Sequence, residues 1–448
     1  FMSNGQVPAS GDWYGIVSTG STGKVLMDYA SINHYTNGIR IKSGSSDYTD
    51  YNNDDTVSVA NTKFYGGGYA INGSDYSFRP VLFTNNDLYE CGVYDRSYTS
   101  YKVYESNHIY SLSSSPLSFY IQDIRTGSNS SIATHGIVKV NSNTFERGYI
   151  YIEDLRLYSS STLSNTLHVE VKNNYLGRGS TGITLDNMRN YTSNLEDFDI
   201  IISNNTVIGT GNYNGYGVRV GVSSNASGVK SLISNNTIKS IGRGIEKYSN
   251  VSSRTIIQSN TVDSTYYQGI SLNKVSGRLE SNTITNCGRY DYFGIDITSD
   301  FNYPAIDTIQ YNTITGNGYW QSPTNTSTTG GWGGIRLNGY TQAKINYNNI
   351  YDNGAYEVVN NVAASAVTEQ DAKFNYWGTY NNSQIALGAN PKNLFKIYDE
   401  YDNSSLGFVN YGGYLNAAYP NGVPSSQSVT GEVSLVDRLG DDVLSYET

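Results

Sequence analysis

The 448-residue sequence predicts an all-β chain wound as a parallel β-helix, a solenoid of about thirteen turns. Two short phrases recur in the same order: Ser203-Asn204-Asn205-Thr206-Val207, and then Gly217-Val218-Arg219-Val220. Apolar β-branched residues alternate with polar ones inside both phrases, and Gly or Asn bounds them, which is typical of strands. The tightest repeat is 21 residues (Asn86 to Asn107). A tandem helical pair needs more than about 30 residues per unit, so one turn of a β-helix fits better.

One asparagine of the first phrase recurs once in most turns and so marks the turns along the sequence. Such an asparagine tolerates the unusual backbone angles of a bend, and its amide can bond the amides of neighbouring turns as a ladder. Two earlier turns carry Ala30 and Thr62 at this position, and the remaining turns place asparagine at Asn86, Asn107, Asn143, Asn174, Asn205, Asn236, Asn260, Asn282, Asn312, Asn349 and Asn375.

The second phrase predicts which side chains face inward. In Gly-Ile-x-Ile the two branched residues point into the solenoid and the middle residue points to solvent, because side chains alternate along a strand. The glycine permits the corner that starts the strand.

Composition limits the classes of partner and location that the chain can have. The net charge of −10 argues against nucleic acid, since no basic face could neutralise phosphates. Without an apolar run of 18 residues we expect no membrane insertion, and the first residues lead us to expect no signal peptide in this sequence. Cys91 and Cys287 fall about seven turns apart, too far for a disulfide, so both are expected to be free thiols.

These repeats resemble those of the right-handed parallel β-helix superfamily, the pectin-lyase-like fold, over residues 12 to 378. Two phrases, Gly11-Asp12-Trp13-Tyr14-Gly15-Ile16 and Asn375-Tyr376-Trp377-Gly378, resemble those of bacterial and archaeal cell-surface members. The resemblance implies a right-handed helix and an extracellular or cell-surface location. It does not settle function, because this fold hosts lyases, glycosidases, epimerases, phage tailspikes and passive surface proteins.

The domain prediction has three parts. Residues 1–378 form the β-helix, residues 379–419 an irregular C-terminal cap, and residues 420–448 a linker with the start of a further domain. A solenoid needs caps, so we expect the polypeptide to extend beyond both ends. Residues 433–447 weakly resemble the entry to tyrosine-aspartate repeat (RHS-type) shells.

Aromatic residues supply the binding hypotheses. A 21-residue corner between Asn312 and Gly334 carries Tyr319, Trp320 and Trp332, where the turns from Asn205 to Asn282 use 7 to 11 residues. Long loops on rigid scaffolds often carry function, so these three are the predicted ligand-binding residues; the alternative is a loop folded onto its own solenoid. Tyrosines are also dense between residues 62 and 130. They predict either an exposed contact surface or ladders that cover the polar face.

Calcium is the one metal that the sequence leaves open. The acidic segment Asp47, Asp50, Asp54 and Asp55 groups oxygen ligands. It lacks the glycine and terminal glutamate of an EF-hand loop, which favours a solvated loop and no cofactor. His34, His108, His135 and His168 are scattered, which gives no support to a zinc site or a serine triad.

The outward residues of the Gly-Ile-x-Ile strands are the candidates for catalysis. Down the solenoid they include Arg219, Glu246, Asp296 and Arg336. Two turns separate Glu246 from Asp296, roughly 9.6 Å at strand spacing, close to the ~6.5–9.5 Å of inverting glycosidases. A ladder of alternating charges that stabilises the sheet is the structural alternative, and we favour it.

Together these patterns predict an extracellular β-helix that acts as a rigid stalk and binding module for a glycan or another surface protein. A polysaccharide lyase or glycoside hydrolase, with its site on the outward face of those strands, is the first alternative. A component of a larger filament or RHS-type shell is the second, and it makes self-association a further partner class.

Overall fold

A computed structural model of the chain describes residues 14–18, 24–41, 56–73, 80–97, 101–111, 117–126, 135–157, 166–190, 198–211, 213–223, 229–249, 253–289, 292–302, 304–318 and 332–426. They fall into two compact units, which are taken one at a time. The first comprises Phe1–Tyr266 with Ser271–Ser276, and the second Tyr267–Ile270 with Gly277–Thr448. Two strands, Ile270–Asn273 and Ser276–Glu280, carry residues of both.

The first unit is a parallel β-helix whose turns each give one strand to each of three sheets. Sheet 1 contains Ile16–Ser18, Asn37–Ile41, Tyr69–Gly73, Gly92–Asp95, Leu117–Gln122, Gly148–Glu153, Gly182–Asn190, Tyr216–Val222 and Arg243–Ser249. Sheet 2 contains Val25–Asp28, Val57–Ala60, Val81–Thr84, Tyr101–Glu105, His135–Asn141, Thr166–Lys172, Phe198–Ser203, Lys230–Ser234 and Arg254–Gln258. Sheet 3 contains Ser31–Asn33, Lys63–Tyr65, Asp87–Tyr89, His108–Tyr110, Thr144–Phe145, Tyr175–Leu176, Thr206–Ile208, Thr237–Lys239 and Thr261–Asp263. The short strands Arg125–Thr126 and Arg156–Leu157 pair beside sheet 1.

Alternation decides which side chains fill the interior, as the sequence predicts. In the strand Tyr216–Val222, Val218 and Val220 are fully buried and Arg219 between them is partly exposed. An aromatic column also runs through the early turns. Its members are fully buried and lie 4.9–6.1 Å from centroid to centroid: Phe64, Phe83, Tyr104, Phe119 and Phe145.

The predicted asparagine ladder is present in the first unit from Asn86 to Asn260. At Asn205, the amide nitrogen donates to Asn236 Oδ1 at 2.9 Å and to the Val171 carbonyl at 2.8 Å. Its Oδ1 accepts the backbone and amide N–H groups of Asn174 at 3.0 and 2.9 Å. The left-handed backbone angle belongs to the residue before the ladder position, as at Asn204 (φ 58°). Bend and ladder therefore use two successive residues.

The second unit repeats the three-sheet plan. Sheet 1 strands are Phe293–Thr298, Gly333–Gly339, Tyr356–Val362 and Ile397–Tyr398; sheet 2 strands are Ile306–Gln310, Gln342–Asn346, Glu369–Asp371 and Phe408–Asn410; sheet 3 strands are Thr283–Thr285, Thr313–Thr315 and Asn349–Tyr351. The ladder runs Asn282, Asn312, Asn348 and Asn375. The choice of Asn349 as the ladder residue was wrong by one position, since Asn349 pairs with Thr313 inside a strand.

The C-terminal segment continues two of these sheets. The one α-helix among the described residues, Gly378–Ala386, follows the buried Trp377. Ile397–Tyr398 then pairs with the strand Tyr356–Val362, and Phe408–Asn410 with Glu369–Asp371. The segment predicted as an irregular cap, residues 379–419, thus adds strands to the solenoid that it follows.

Two further predictions meet the structure here. Neither Cys91 nor Cys287 forms a disulfide, as expected, and both side chains are buried. Within the described ranges, no helix has both the length and the hydropathy that a membrane crossing would require.

Candidate functional site

The first pair of catalytic candidates, Arg219 and Glu246, lies on sheet 1 of the first unit in the predicted register. Arg219 stands opposite Thr184 on one side and Glu246 on the other. Its Nε lies 3.0 Å from Glu246 Oε2, and its Nη1 lies 3.5 Å from Asp186 Oδ2. The Arg219 Cζ also lies 4.8 Å from the ring centroid of Tyr216 and 4.8 Å from that of Tyr248.

The second pair, Asp296 and Arg336, lies on sheet 1 of the second unit and forms a fork. Arg336 donates from Nε to Asp296 Oδ1 at 3.0 Å and from Nη2 to Oδ2 at 2.6 Å. Gln268 and Asn338 also donate to the Asp296 carboxylate, at 3.2 and 3.3 Å. The Asp296 side chain is only 7% exposed.

The four candidates therefore form two ion pairs, one in each unit. A general acid or base must reach the proton that it transfers. Here each carboxylate is already engaged by an arginine on the next strand. This arrangement favours the alternating charge ladder over a catalytic pair, and the catalytic role of these residues stays a prediction.

Of the predicted ligand-binding residues, the structure describes Trp332; Tyr319 and Trp320 lie outside the described residues. Trp332 is partly buried, and its carbonyl accepts the backbone N–H groups of Ala355 and Tyr356 at 3.0 and 3.2 Å. Its indole lies against Gly354, where an added Cβ would come within 2.3 Å of the indole Cδ1. Trp332 is thus packed on the next turn.

The calcium candidates Asp47, Asp50, Asp54 and Asp55 also lie outside the described residues. Among the residues that the structure does describe, no group of three or more His, Cys, Asp or Glu side chains could hold a metal ion.

Sheet 1 of the first unit carries a row of partly exposed tyrosines, which we call the tyrosine face. Tyr94, Tyr120 and Tyr151 stand in register on successive strands, and Tyr69 extends the row by one turn. Neighbouring ring centroids lie 5.3, 5.3 and 5.1 Å apart. All four side chains are partly exposed.

The tyrosine face leads into the Arg219 pair on the same sheet. Tyr151 stands opposite Thr184, which stands opposite Arg219. The Tyr120 hydroxyl donates to Glu153 Oε2 at 2.6 Å. Burial raises the pKa of Tyr151 to about 12, and burial together with the bond to Glu153 raises the pKa of Tyr120. Both hydroxyls therefore keep their protons at neutral pH.

A second tyrosine ladder lies on sheet 3 of the same unit. Tyr65, Tyr89 and Tyr110 stack almost in parallel, with centroids 4.5 and 4.3 Å apart and interplanar angles of 6° and 2°. The His108 ring stacks on Tyr110 at 3.8 Å. The tyrosine-rich stretch thus forms ladders whose rings are partly exposed, and the contact surface predicted for the same stretch stays a prediction.

The sequence analysis did not place the tyrosine face, although a signal was available. Each tyrosine of the in-register row occupies the outward position between two inward residues, as in Val93-Tyr94-Asp95, Phe119-Tyr120-Ile121 and Ile150-Tyr151-Ile152. Aligning the turns on their inward residues would have put these rings in one row.

Comparison of the chain with protein-family models, with curated proteins and with solved structures finds no match. The resemblance to the pectin-lyase-like superfamily therefore stays a prediction, and any functional argument depends on the geometry of the two units.

Proposed function

We propose that this chain is a non-catalytic binding module of an extracellular or cell-surface protein, and that the tyrosine face of its first unit binds a linear glycan. The observation that carries the proposal is the in-register row of Tyr94, Tyr120 and Tyr151, with one ring per turn at 5.1–5.3 Å. A polymer of repeating units can follow a row of repeating rings.

The rings are well suited to binding because they are already held in place. Each packs against its neighbours, and Tyr120 is fixed further by its bond to Glu153. Binding then orders few additional rotamers, which lowers its entropic cost. Tyrosine also offers a large amphipathic surface with only two side-chain torsions.

The charge around the tyrosine face selects the class of glycan. Glu153 and Asp186 flank the row, and the chain carries a net charge of −10. A polyanionic glycan would be repelled. The proposed ligand is therefore a neutral or amine-bearing polysaccharide; a surface protein with a basic patch is the competing partner.

The two arginine–carboxylate pairs support a binding role over the enzyme alternative. A glycosidase needs two carboxyl groups that face its substrate. Asp296 is held by both nitrogens of the Arg336 fork, and Glu246 by Arg219. The same polysaccharide panel that tests binding also tests release of reducing sugar or unsaturated product.

The test is binding of the purified chain to immobilised neutral, amine-bearing and anionic polysaccharides, and to surface proteins. We expect binding to a polysaccharide of the first two kinds. Tyr120→Ala, at the centre of the row, should weaken it by about 1–3 kcal/mol, the cost of removing a central aromatic anchor.

The second ladder supplies the matched control. Tyr89→Ala removes an equally stacked tyrosine from sheet 3 and should leave glycan binding unchanged. Equal losses from the two variants would show a general effect on the fold. Binding to surface proteins alone would assign the tyrosine face to the competing partner.

A further inference from the structure

Three polar residues of the first unit occupy inward positions that neighbouring turns give to apolar or small side chains. Lys102 lies between Val81 and Val138 on sheet 2. Tyr104, two residues along the same strand, lies between Phe83 and Val140.

Asp95 completes this group from sheet 1. It ends the strand Gly92–Asp95 and lies between Gly73 and Ile121. Asp95, Lys102 and Tyr104 are all 0% exposed. Such a group is costly inside an apolar core unless every polar atom is matched.

The geometry aims the lysine amine at the carboxyl group. Lys102 Nζ lies 3.2 Å from Asp95 Oδ2, and the Tyr104 hydroxyl donates to the same oxygen at 2.6 Å. The other oxygen, Oδ1, accepts two hydrogen bonds from Ser97, from the backbone N–H at 2.9 Å and from the hydroxyl at 2.6 Å.

Gly73 makes the room for this carboxyl group. A Cβ added at Gly73 would lie 2.3 Å from Asp95 Oδ1. The neighbouring turn therefore has to be glycine for the carboxyl group to sit under the two donors of Ser97.

We propose that Lys102 and Asp95 condense into an intramolecular isopeptide bond. One proton first moves from the Lys102 ammonium to the Asp95 carboxylate, which leaves a neutral amine beside a neutral carboxyl group. Nζ then forms a bond to Cγ, Oδ2 leaves, and the product is a secondary amide plus one water molecule. No oxidant or other reactant is consumed.

Each neighbouring group has a role in this step. The two donors of Ser97 stabilise the charge that develops on Oδ1 in the tetrahedral intermediate, as donors do in an oxyanion hole. The Tyr104 hydroxyl passes a proton to the departing Oδ2 and recovers one from the attacking Nζ, so the phenol is regenerated. Burial lowers the pKa of Lys102, and the neutral amine is the nucleophilic form.

The bond would tie sheet 1 to sheet 2 at one corner of the first unit. Neither cysteine of the chain forms a disulfide, so this amide would be a covalent crosslink made without sulfur. The inference does not depend on the proposed glycan ligand.

The first test is the intact mass of the purified chain. We expect it to lie below the sequence mass by one water molecule. After trypsin digestion, cleavage after Lys102 should be lost, and the peptide that ends at Arg96 should stay joined to the peptide that begins at Ser97. A full sequence mass overturns the proposal. So does a loss of water with normal cleavage after Lys102, which would mark a succinimide.

Variants separate the bond from the packing of the same side chains. Asp95→Asn keeps the hydrogen-bond acceptor and should give the same joined peptides with loss of ammonia in place of water. Asp95→Ala should show the full mass of its own sequence. Joined peptides in Asp95→Ala would exclude Asp95 as the partner of Lys102.

Tyr104→Phe tests the proton transfer while it keeps the ring against Phe83 and Phe119. Its joined fraction, followed over time after synthesis, should rise at least tenfold more slowly than in the unchanged chain, with an unchanged circular dichroism spectrum. An equal rate would overturn the part assigned to Tyr104.

Discussion

Lys247 shows how an inward position on a strand changes the pKa of a side chain. It follows the outward Glu246, so it takes an inward position on sheet 1 of the first unit, in register with Val220. The side chain is fully buried, and its Nζ has no hydrogen-bond partner among the described residues. Burial lowers the pKa of Lys247 from 10.5 to about 7.

The burial of Lys247 predicts a pH-dependent loss of folding stability. Between pH 7 and 10.5 the unfolded chain binds the proton and the folded chain releases it, so the stability contributed by Lys247 rises with pH. Below pH 7 Lys247 is protonated in both states, and its burial lowers the free energy of unfolding by its full amount, on the order of a few kcal/mol. Lys247→Met should therefore raise the unfolding free energy at pH 7, with a gain that shrinks as the pH approaches 10.5.

Denaturant unfolding at several pH values measures this effect. The matched control is Lys139→Met, at an outward and partly exposed position of sheet 2, which should change stability by less than about 0.5 kcal/mol at every pH. A gain for Lys247→Met that does not depend on pH would contradict a titrating amine.

At the scale of the element, the corner between sheets 2 and 3 shows what the sequence could predict. The repeat identified the turns because each places a buried apolar residue two positions after a ladder asparagine, as Val207 follows Asn205. The register failed at Asn348-Asn349, where the first of two adjacent asparagines is the ladder residue, whereas at Asn204-Asn205 it is the second. Ile350 is the buried residue of that turn, so Asn348 is the ladder position.

Backbone geometry explains the same choice. Tyr347 takes the left-handed angle (φ 58°) immediately before Asn348, as Asn204 does before Asn205. Sequence analysis assigned both the bend and the ladder to one asparagine, and nothing in residue type marks a tyrosine for a left-handed angle. Anchoring the repeat on its buried residues would have avoided the error.

Because Asn204 provides the left-handed angle and Asn205 the ladder amide, substitutions at the two positions should have different effects. Asn205→Ala removes the amide that bonds Asn174, Asn236 and Val171, and it leaves several buried polar groups without partners. We expect a loss of about 3 kcal/mol or more. Asn204→Gly, the matched control, keeps the left-handed angle at an exposed position and should cost little.

Chemical denaturation of the two variants distinguishes the roles. A small loss for Asn205→Ala would mean that water or neighbouring groups replace the ladder. A large loss for Asn204→Gly would mean that its side chain, rather than its backbone angle, supports the corner.

At the scale of the whole chain, sequence pattern predicts what every turn shares. The inward residues, the ladder at every turn but that of Asn348, and the absence of a disulfide between Cys91 and Cys287 follow from the repeat. It does not predict features that single turns add, such as the group of Asp95, Lys102 and Tyr104 or the buried Lys247. These residues break the alternation of polar and apolar residues on which the prediction rests.

The two cysteines offer a test of the packing in each unit by itself. Cys91 belongs to the first unit and Cys287 to the second, and each is 1% exposed. Burial raises the pKa of Cys91 to about 12, and the thiolate is the reactive form. Neither thiol should react with a small thiol reagent in the folded chain at neutral pH.

After denaturation both cysteines should titrate, and prior reduction should not increase the amount found. In Cys287→Ala the remaining thiol reports unfolding of the first unit, and in Cys91→Ala it reports the second. For each variant, labelling across a denaturant series should rise at the concentration at which the β signal of circular dichroism is lost. Rapid labelling of Cys91 in native buffer would contradict a packed interior in the first unit, and rapid labelling of Cys287 would contradict one in the second.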